Sequence, residues 1–420
     1  MYRNYKDLIA AIAAGIPGET TPPLFREWVA LGAVSAALGR KVWFEQGQYD
    51  CYANLYIILV GKPATGKGVA IDFAYEQLLG QLCESLGENE DESEAVKTAY
   101  KRYIRDDWNY PLHMLGGKST YEKLVANMKR FSTQVVDAKH VDGKVRASYP
   151  SANIVVKVPE FGTFMDRHFK DLHMLLTEGW DSSANHEYHT KNAKVFILKG
   201  PTIQWIAGAT PSEFVLRMPP NAKEQGLLTR TICVYEKEFT GHVLAKTAKP
   251  KLDFMEDLRQ DLGLIAGMKG EFTFEPDMQE HAQAWLDGGQ KPRPTDPFMD
   301  DYNGRRYSQL LKTSMCYAAA RRPDYVIKRE DWDSACKILF ATEVNMPDLF
   351  SKIGISDTGK LAEELVDVVR AKRQIPKRVL KRIALKKAKN IADVDNTINA
   401  LISTGALKED DAMISMGVGI

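Results

Sequence analysis

Residues 55–68 read LYIILVGKPATGKG. The apolar run from Leu55 to Val60 predicts a buried strand, and the residues from Val69 to Leu79 predict a helix. Between them, the spacing G-x-x-x-x-G-K predicts a phosphate-binding loop. Glycines allow the backbone N–H groups of such a loop to point at phosphate oxygens, and the following helix adds its positive end. Lys67 would add a point charge between the outer phosphates.

The loop departs from its usual pattern at Gly68, where most such loops carry Ser or Thr. The hydroxyl that normally contacts Mg²⁺ is therefore missing, and the ion would depend on water, phosphate and a distant carboxylate. Nucleoside monophosphate kinases carry the same Gly-Lys-Gly, so nucleotide binding remains the prediction; the alternative is a tight strand–helix turn that contains a lysine. The residues expected to bind nucleotide are Gly61, Lys62, Pro63, Ala64, Thr65, Gly66, Lys67, Gly68 and Val69.

The composition is that of an ordinary globular protein. Of 420 residues 44% are hydrophobic, and the formal net charge is +1, so any contact with nucleic acid must come from local patches. No apolar run approaches the roughly 20 residues that span a bilayer, which predicts no membrane partner. The five cysteines include no C-x-x-C pair, which favours a reducing compartment, the cytoplasm.

Strands and helices alternate after the loop. Further core strands are predicted from Asn153 to Val158, from Thr202 to Ala207 and from Thr231 to Tyr235, with helical segments between them. This alternation is typical of an α/β domain with a mostly parallel sheet. The segment from Arg40 to Phe44 predicts an edge strand.

Changes in composition predict four parts of the chain. These are an N-terminal helical segment (1–50), a nucleotide-binding core (51–250) with a charged helical insertion (84–110), a helical subdomain (251–355) and a C-terminal module (356–420). The last part contains three short predicted helices and a terminal hairpin, the order found in a winged helix-turn-helix.

Two polar residues that follow predicted strands are candidates for catalysis. Glu160 could hold Mg²⁺ through water and polarise an attacking water molecule. The usual Asp-Glu pair is reduced here to one acid, because Pro159 precedes it; the alternatives are a strand-end glutamate without a role, or Asp166 as the acid. Thr210 could bond the γ-phosphate or the lytic water, or be only a turn residue.

Arg230 is a third candidate, because it stands directly before the predicted strand that begins at Thr231. In a ring of subunits, an arginine at this place would reach the γ-phosphate bound by the neighbouring subunit. The alternative is a solvated arginine. Arg305 or Arg306, at the start of a long predicted helix, could also touch the nucleotide.

Two groups of basic residues predict contacts with DNA. Lys191 and Lys194 lie beside a predicted hairpin that would contact a strand passing through a pore, although solvated lysines are an equal alternative. The C-terminal module carries a basic run without acids between Ala371 and Asn390. A winged helix with such a run fits phosphate contacts to DNA, or a protein contact. The residues expected to bind DNA there are Lys377, Arg378, Lys381 and Arg382.

Together these segments resemble the replicative helicase-like P-loop ATPases of phages and mobile elements, which are related to AAA+ and superfamily 3 helicases. The matching stretches follow the family's order over most of residues 22–236. They are PPLFREWVALGAVSAALGRKVWF, NLYIILVGKPATGKG, GGKSTYEKL, IVVKVPEFG, TIQWIAGATP and GLLTR. The resemblance implies a P-loop NTPase (AAA+-like) core with a helical lid and a C-terminal winged-helix module.

The resemblance also implies roles for single residues. Lys67 would be the Walker A lysine, Glu160 the Walker B acid, Thr210 the first sensor and Arg230 the arginine finger. The implied protein is a homo-hexameric ring that hydrolyses ATP with Mg²⁺ and moves along single-stranded or forked DNA, together with other replication proteins. We expect a phage or prophage replicative helicase; the alternatives are a helicase loader or replication initiator, and a small-molecule kinase.

Overall fold

The structure, a computed structural model, describes the chain apart from several short ranges. The residues outside the description are 1–2, 19–20, 48, 83–111, 117–120, 132–134, 142–143, 151, 163–168, 184, 190–194, 219–225, 239–249, 354–356, 387, 389 and 418–420. The predicted charged insertion at 84–110 therefore lies outside the described residues. The chain divides into two compact units, Met1–Phe350 and Ser351–Ile420.

The first unit mixes helices and strands. Its helices are α1 (Leu8–Gly15), α2 (Pro23–Leu38), α3 (Lys67–Asp72), α4 (Tyr121–Phe131), α5 (Phe169–Asp181), α6 (Pro211–Arg217), α7 (Leu252–Ala266), α8 (Pro276–Asp287), α9 (Asp300–Asn303), α10 (Arg306–Arg321), α11 (Arg329–Glu343) and α12 (Met346–Phe350). A π-helical segment, Phe73–Leu78, continues α3, and 3₁₀ turns lie at Gly39–Lys41, Leu79–Gln81, Leu228–Arg230 and Pro297–Met299.

The strands of the first unit form sheets and hairpins. They are β1 (Val42–Glu45), β2 (Asp50–Tyr52), β3 (Tyr56–Gly61), β4 (Met114–Gly116), β5 (Val135–Val141), β6 (Lys144–Pro150), β7 (Asn153–Val158), β8 (Asn185–His189), β9 (Val195–Lys199), β10 (Thr202–Ala209), β11 (Thr231–Glu236), β12 (Gly270–Phe274) and β13 (Val326–Ile327). The main sheet has the order β11-β3-β10-β7-β4, and all of its neighbouring strands are parallel. The fold is thus mixed α/β with a parallel sheet, as the alternation of elements predicts.

A smaller sheet has the order β13-β12-β1-β2. The prediction of an edge strand near residues 40–44 is wrong, because β1 lies between two neighbours. It pairs in parallel with β12, which comes from a distant part of the chain, and antiparallel with β2. Pairing with so distant a segment leaves no local trace in the sequence around residue 42.

Helix α2 lies at the centre of the first unit. Every residue from Trp28 to Leu38 is buried, and a helix that is buried on all sides belongs to a core rather than to a surface. It packs against α1, α7, α10 and β10. One continuous apolar core therefore runs from Leu8 to Leu339, and the boundaries predicted at 50/51 and 250/251 fall inside this unit.

The second unit contains α13 (Asp357–Lys372), β14 (Gln374–Pro376), α14 (Lys377–Ala384), α15 (Ile391–Ser403), β15 (Leu407–Asp410) and β16 (Met413–Met416). The three strands form an antiparallel sheet in the order β14-β16-β15. Asp411 and Ala412, which connect the last two strands, both have positive φ, as a two-residue hairpin turn requires. The unit has its own apolar core, which includes Leu365, Leu380 and Ile398.

Candidate functional site

The loop formed by residues 61–68, called the 61–68 loop below, lies at the carboxyl edge of the main sheet. β3 is buried along its whole length and ends at Gly61, and α3 begins at Lys67. The strands on either side of β3 are β10 and β11, both parallel to it. The chain leaves β3 for β4 at one side of the sheet and later passes from β10 to β11 on the other side of β3. The direction of the connections therefore reverses beside β3, and open α/β sheets bind ligands at the carboxyl ends of the strands at such a point.

The strand register brings two further predicted residues to the same edge. Ala209 pairs with Val60, so that Thr210 is level with Gly61. Val158 pairs with Ala207, and Glu160 therefore leaves the sheet close to the end of β10. Three segments far apart in the sequence thus end side by side.

The two glycines of the 61–68 loop that flank Lys67 differ in how much space surrounds them. Gly66 has φ +78°, and a Cβ there would lie 2.1 Å from Oγ1 of Thr21, so no side chain fits. Ala64 also has positive φ, at 65°. A Cβ on Gly68, by contrast, would meet no atom within 4 Å. The absence of a hydroxyl at position 68 is therefore not imposed by packing.

The side chain of Lys67 folds over the 61–68 loop. Its Nζ donates hydrogen bonds to the carbonyl oxygens of Gly61 and Lys62, both at 2.8 Å, and to Oγ1 of Thr65 at 3.0 Å. Burial lowers the pKa of Lys67, and the nearby carboxylate of Glu213 opposes this effect. The ammonium group is thus held where the loop surrounds it.

A cavity of about 670 Å³ opens over the loop. This volume is within the range of small-molecule sites, roughly 300–1,000 Å³. The residues that line it are Pro17, Gly18, Thr21, Pro63, Ala64, Thr65, Gly66, Lys67, Gly68, Val69, Pro159, Glu160, Gly208, Ala209, Thr210 and Glu213. The structure thus brings Lys67, Glu160 and Thr210 together in one cavity.

Thr210 has a structural role that its sequence position alone did not reveal. It is the N-cap of α6: its Oγ1 accepts a hydrogen bond from the Glu213 N–H at 3.2 Å. The Glu213 carboxylate accepts one in return from the Thr210 N–H at 3.4 Å. Thr210 is therefore a helix cap that also lines the cavity. Its bond to the γ-phosphate or the lytic water stays a prediction.

The sequence interpretation missed Glu213 and the segment before α2. Glu213 had a readable signal, since Thr210-Pro-Ser-Glu213 matches the capping-box pattern and would have placed its carboxylate beside Thr210. Pro17, Gly18 and Thr21 had no comparable signal. They reach the cavity because Thr21, shortly before α2, lies next to Gly66 of the loop.

The segment before α2 is held by Arg26. Its Nε donates to the carbonyl oxygen of Thr21 at 3.0 Å, its Nη1 to that of Ile16 at 2.9 Å, and its Nη2 to that of Gly18. One guanidinium therefore fixes three carbonyl groups of this connection. The part of the lining formed by Gly18 and Thr21 is thereby held in place.

Arg230 does not lie in this cavity. Thr231 pairs with Tyr56, so Arg230 is level with the start of β3, about 20 Å from the end of that strand. It is 7% exposed, and its guanidinium bonds the Asp181 carboxylate at 2.7 and 3.3 Å and the Gly226 carbonyl at 2.9 Å. Arg230, which we expected to project towards a neighbouring subunit, instead forms a buried ion pair within its own chain, because α5 places Asp181 beside it.

The two other arginine candidates also lie outside the lining of the cavity. Arg306 is fully buried, and its guanidinium bonds the Glu343 carboxylate at 2.7 and 2.8 Å. Nη1 of Arg305 lies 3.7 Å from Asp181. Both side chains form ion pairs that the sequence around residues 305 and 306 did not predict.

A buried lysine lies near Arg230. Nζ of Lys312 donates to Oδ1 of Asn54 at 2.6 Å and to the Trp180 carbonyl at 3.0 Å, and it lies 4.1 Å from the centre of the Trp180 ring. Burial lowers the pKa of Lys312 to about 8. Asn54 lies two residues before β3, so this network lies at the amino edge of the sheet.

The contacts with DNA stay a prediction, and the structure shows only where some of these side chains lie. Lys191 and Lys194 lie outside the described residues. In the second unit, Nζ of Lys377 lies 2.6 Å from the Glu409 carboxylate, and Nζ of Lys381 lies 2.6 Å from that of Asp395. These two lysines are therefore partly neutralised by acids that lie far from them in the sequence. Arg378 and Arg382 are both exposed.

No protein-family description matches the chain, and no curated protein matches it either. Within the described ranges, no helix is both long enough and apolar enough to cross a membrane.

Proposed function

We propose that the chain binds and hydrolyses ATP at the 61–68 loop and uses the energy to move along DNA. The proposed fold is a P-loop NTPase (AAA+-like) core with a helical lid and a winged-helix module. The proposed assembly is a homo-hexameric ring, and the proposed role is that of a phage or prophage replicative helicase in the bacterial cytoplasm, working with other replication proteins.

The observation that carries this proposal is the composition of one cavity. Lys67, the backbone of the glycine loop and the first turn of α3 lie on one side of it, and Glu160 and Thr210 lie at the ends of the two neighbouring strands. Loop amides, a helix N-terminus and a lysine are the groups that bind phosphates. A carboxylate next to them can orient water for attack.

The cavity offers few side chains that could contact Mg²⁺ directly, so the ion would be held largely through water. No cluster of three or more His, Cys, Asp or Glu side chains that could hold an ion occurs in the described part of the chain. Glu160 lines the cavity and is exposed, and its carboxylate would hold the ion through water. When bound, the ion would neutralise charge on the phosphates, and Lys67 and the loop amides would bind and orient those phosphates.

The proposal places an arginine of a neighbouring subunit against the γ-phosphate. Arg230 can fill this role only after it leaves Asp181, because its guanidinium is already bonded to that carboxylate. Contacts with DNA phosphates are proposed for Lys377, Arg378, Lys381 and Arg382, with Lys191 and Lys194 as pore contacts. The ion pairs of Lys377 and Lys381 would have to exchange for phosphate contacts.

A helicase loader or replication initiator is the second candidate. It is favoured by Gly68 and Pro159, which both line the cavity and leave the metal without the loop hydroxyl and without a first acid. Such a protein would use ATP as a switch for DNA binding, with slow turnover. A strand-displacement assay on a forked substrate separates the candidates, since only the helicase unwinds the fork.

The central experiment is ATP turnover by the wild type and by Lys67→Ala, with and without forked DNA. Loss of the ammonium group should lower turnover at least about 100-fold, because charge stabilisation of the phosphates is the main work of such a site. The melting temperature should change little, since the hydrogen bonds of Lys67 Nζ to described residues all stay within its own loop. Lys251→Ala is the matched control, because this exposed lysine lies outside the cavity. Equal turnover in Lys67→Ala and wild type would refute the site.

A further inference from the structure

Glu213 connects two segments that each carry a proposed catalytic residue. Its Oε1 accepts a hydrogen bond from the backbone N–H of Gly162 at 2.8 Å, two residues after Glu160. Its Oε2 accepts one from the backbone N–H of Thr210 at 3.4 Å. The contact with Gly162 is close, since a Cβ there would lie 2.4 Å from Oε1. One carboxylate therefore spans the ends of β7 and β10.

Helix capping explains only half of this arrangement. A capping box needs one acceptor for the N–H of the N-cap residue, and Oε2 supplies it. Oε1 bonds a backbone group 51 residues away, which contributes nothing to the cap of α6. The second bond instead fixes the segment that leaves β7 and carries Glu160.

The charge of Glu213 has two opposing effects on the proposed ligand. Glu213 lines the cavity together with Lys67, and it acts against the lowering of the Lys67 pKa by burial, which favours the charged lysine. A negative charge in this place also opposes the approach of a polyphosphate. The two backbone hydrogen bonds of Glu213, by contrast, both act on segments that carry proposed catalytic residues, so its effect on geometry explains the carboxylate best.

We propose that Glu213 is a positioning residue that holds the Glu160 segment against the end of β10, so that the Glu160 carboxylate faces the loop. The inference rests on the proposed ATP hydrolysis. Glu213 touches no reacting atom in this account; it acts through Glu160. A displacement of about 1 Å at a reacting group can cost a hundredfold in rate, so that two backbone hydrogen bonds are enough to matter.

The test compares Glu213→Ala, Glu213→Gln and the wild type in kcat and KM for ATP. Glu213→Ala should lower kcat about tenfold or more while KM stays equal or falls, because geometry is lost together with a repulsive charge. Glu213→Gln should retain kcat within about threefold, since its amide oxygen still accepts the Gly162 N–H, and it should bind ADP a few times more tightly.

A second arm uses Glu160→Gln and the double variant Glu160→Gln/Glu213→Ala in single-turnover hydrolysis. If Glu213 acts through Glu160, the double variant should be no slower than Glu160→Gln alone. Multiplied losses in the double variant would overturn the inference, as would wild-type kcat in Glu213→Ala. If Glu213 served only as a helix cap, both Glu213 variants would melt at a lower temperature. Their kcat, measured well below that temperature, would equal that of the wild type, and this result would also overturn the inference. Absence of turnover in the wild type would defeat the proposed function itself, and this inference with it.

Discussion

The two edges of the main sheet carry similar charged side chains but use them differently. At the carboxyl edge, Lys67, Glu160 and Glu213 line an open cavity. At the amino edge, Arg230 and Lys312 are buried and bonded to groups of their own chain. The comparison shows that a lysine or arginine beside a core strand is available to a ligand only at the edge that neighbouring elements leave open.

The difference follows from what covers each edge. The end of α5 supplies Trp180 and Asp181 to the amino edge, and α10 supplies Lys312. Polar groups buried there must bond one another, because an unpaired buried charge is costly. The carboxyl edge is bounded by loops and helix N-termini, whose free N–H groups attract anions. Chemistry is therefore expected at one edge and stability at the other.

Of the variants that test the difference between the two edges, Arg230→Ala is expected to have the largest effect on stability. We expect the free energy of unfolding to fall by about 2–3 kcal/mol, because a buried ion pair loses one partner while Asp181 keeps some contact with water. Arg230→Lys should lose less, since it keeps the charge but not the two-bond geometry. Urea unfolding measures both. Unchanged stability together with abolished ATP turnover would instead assign Arg230 to catalysis in a neighbouring subunit.

A somewhat smaller effect is expected from Lys312→Met, measured as the pH dependence of stability. The pKa of Lys312 is about 8 in the folded chain and 10.5 ordinarily, so the unfolded chain binds more protons between these pH values. The wild type should therefore gain about 2 kcal/mol relative to the variant between pH 7 and pH 10. Lys251→Met, at an exposed lysine, is the control. Parallel pH profiles for wild type and Lys312→Met would contradict this account of the amino edge.

The smallest effect is expected at the carboxyl edge, from Gly68→Ser. A Cβ there meets no atom within 4 Å, so the new hydroxyl can stand where such loops usually contact Mg²⁺. ATP turnover with Mg²⁺ should rise by about two- to fivefold, with no loss of thermal stability. Gly66→Ser is the contrasting variant, because its side chain would collide with Thr21, and it should lose turnover. Slower turnover in Gly68→Ser would show that this edge does not use the metal as proposed.

Much of the carboxyl edge could be predicted because its signals are local. Strand, glycine spacing and helix occur within 25 residues around Lys67, and the short segments ending at Glu160 and Thr210 follow buried strands. The capping box of Thr210 and Glu213 was equally local and could have been recognised. Their assembly into one cavity follows from parallel pairing, which places the carboxyl ends of strands together.

The amino edge could not be predicted, because its partners are distant in sequence. Nothing near Arg230 indicates Asp181, and nothing near Lys312 indicates Asn54. The same limit applies to Lys377 and Lys381, whose acidic partners lie on other elements of the second unit. From sequence alone, a charged residue is therefore easily assigned to a ligand, although in the folded chain it bonds a partner from the same chain.

The α/β class, the positions of the core strands and the glycine loop around Lys67 are predictable from the sequence, because periodicity and turn chemistry act over a few residues. Which charged side chains face the cavity depends on the folded chain, since strand order and register set the edge at which each residue lies. The bonds of Arg26 to the segment before α2 and the bridge of Glu213 between two strand ends also arise on folding, because those contacts join residues that only folding brings together.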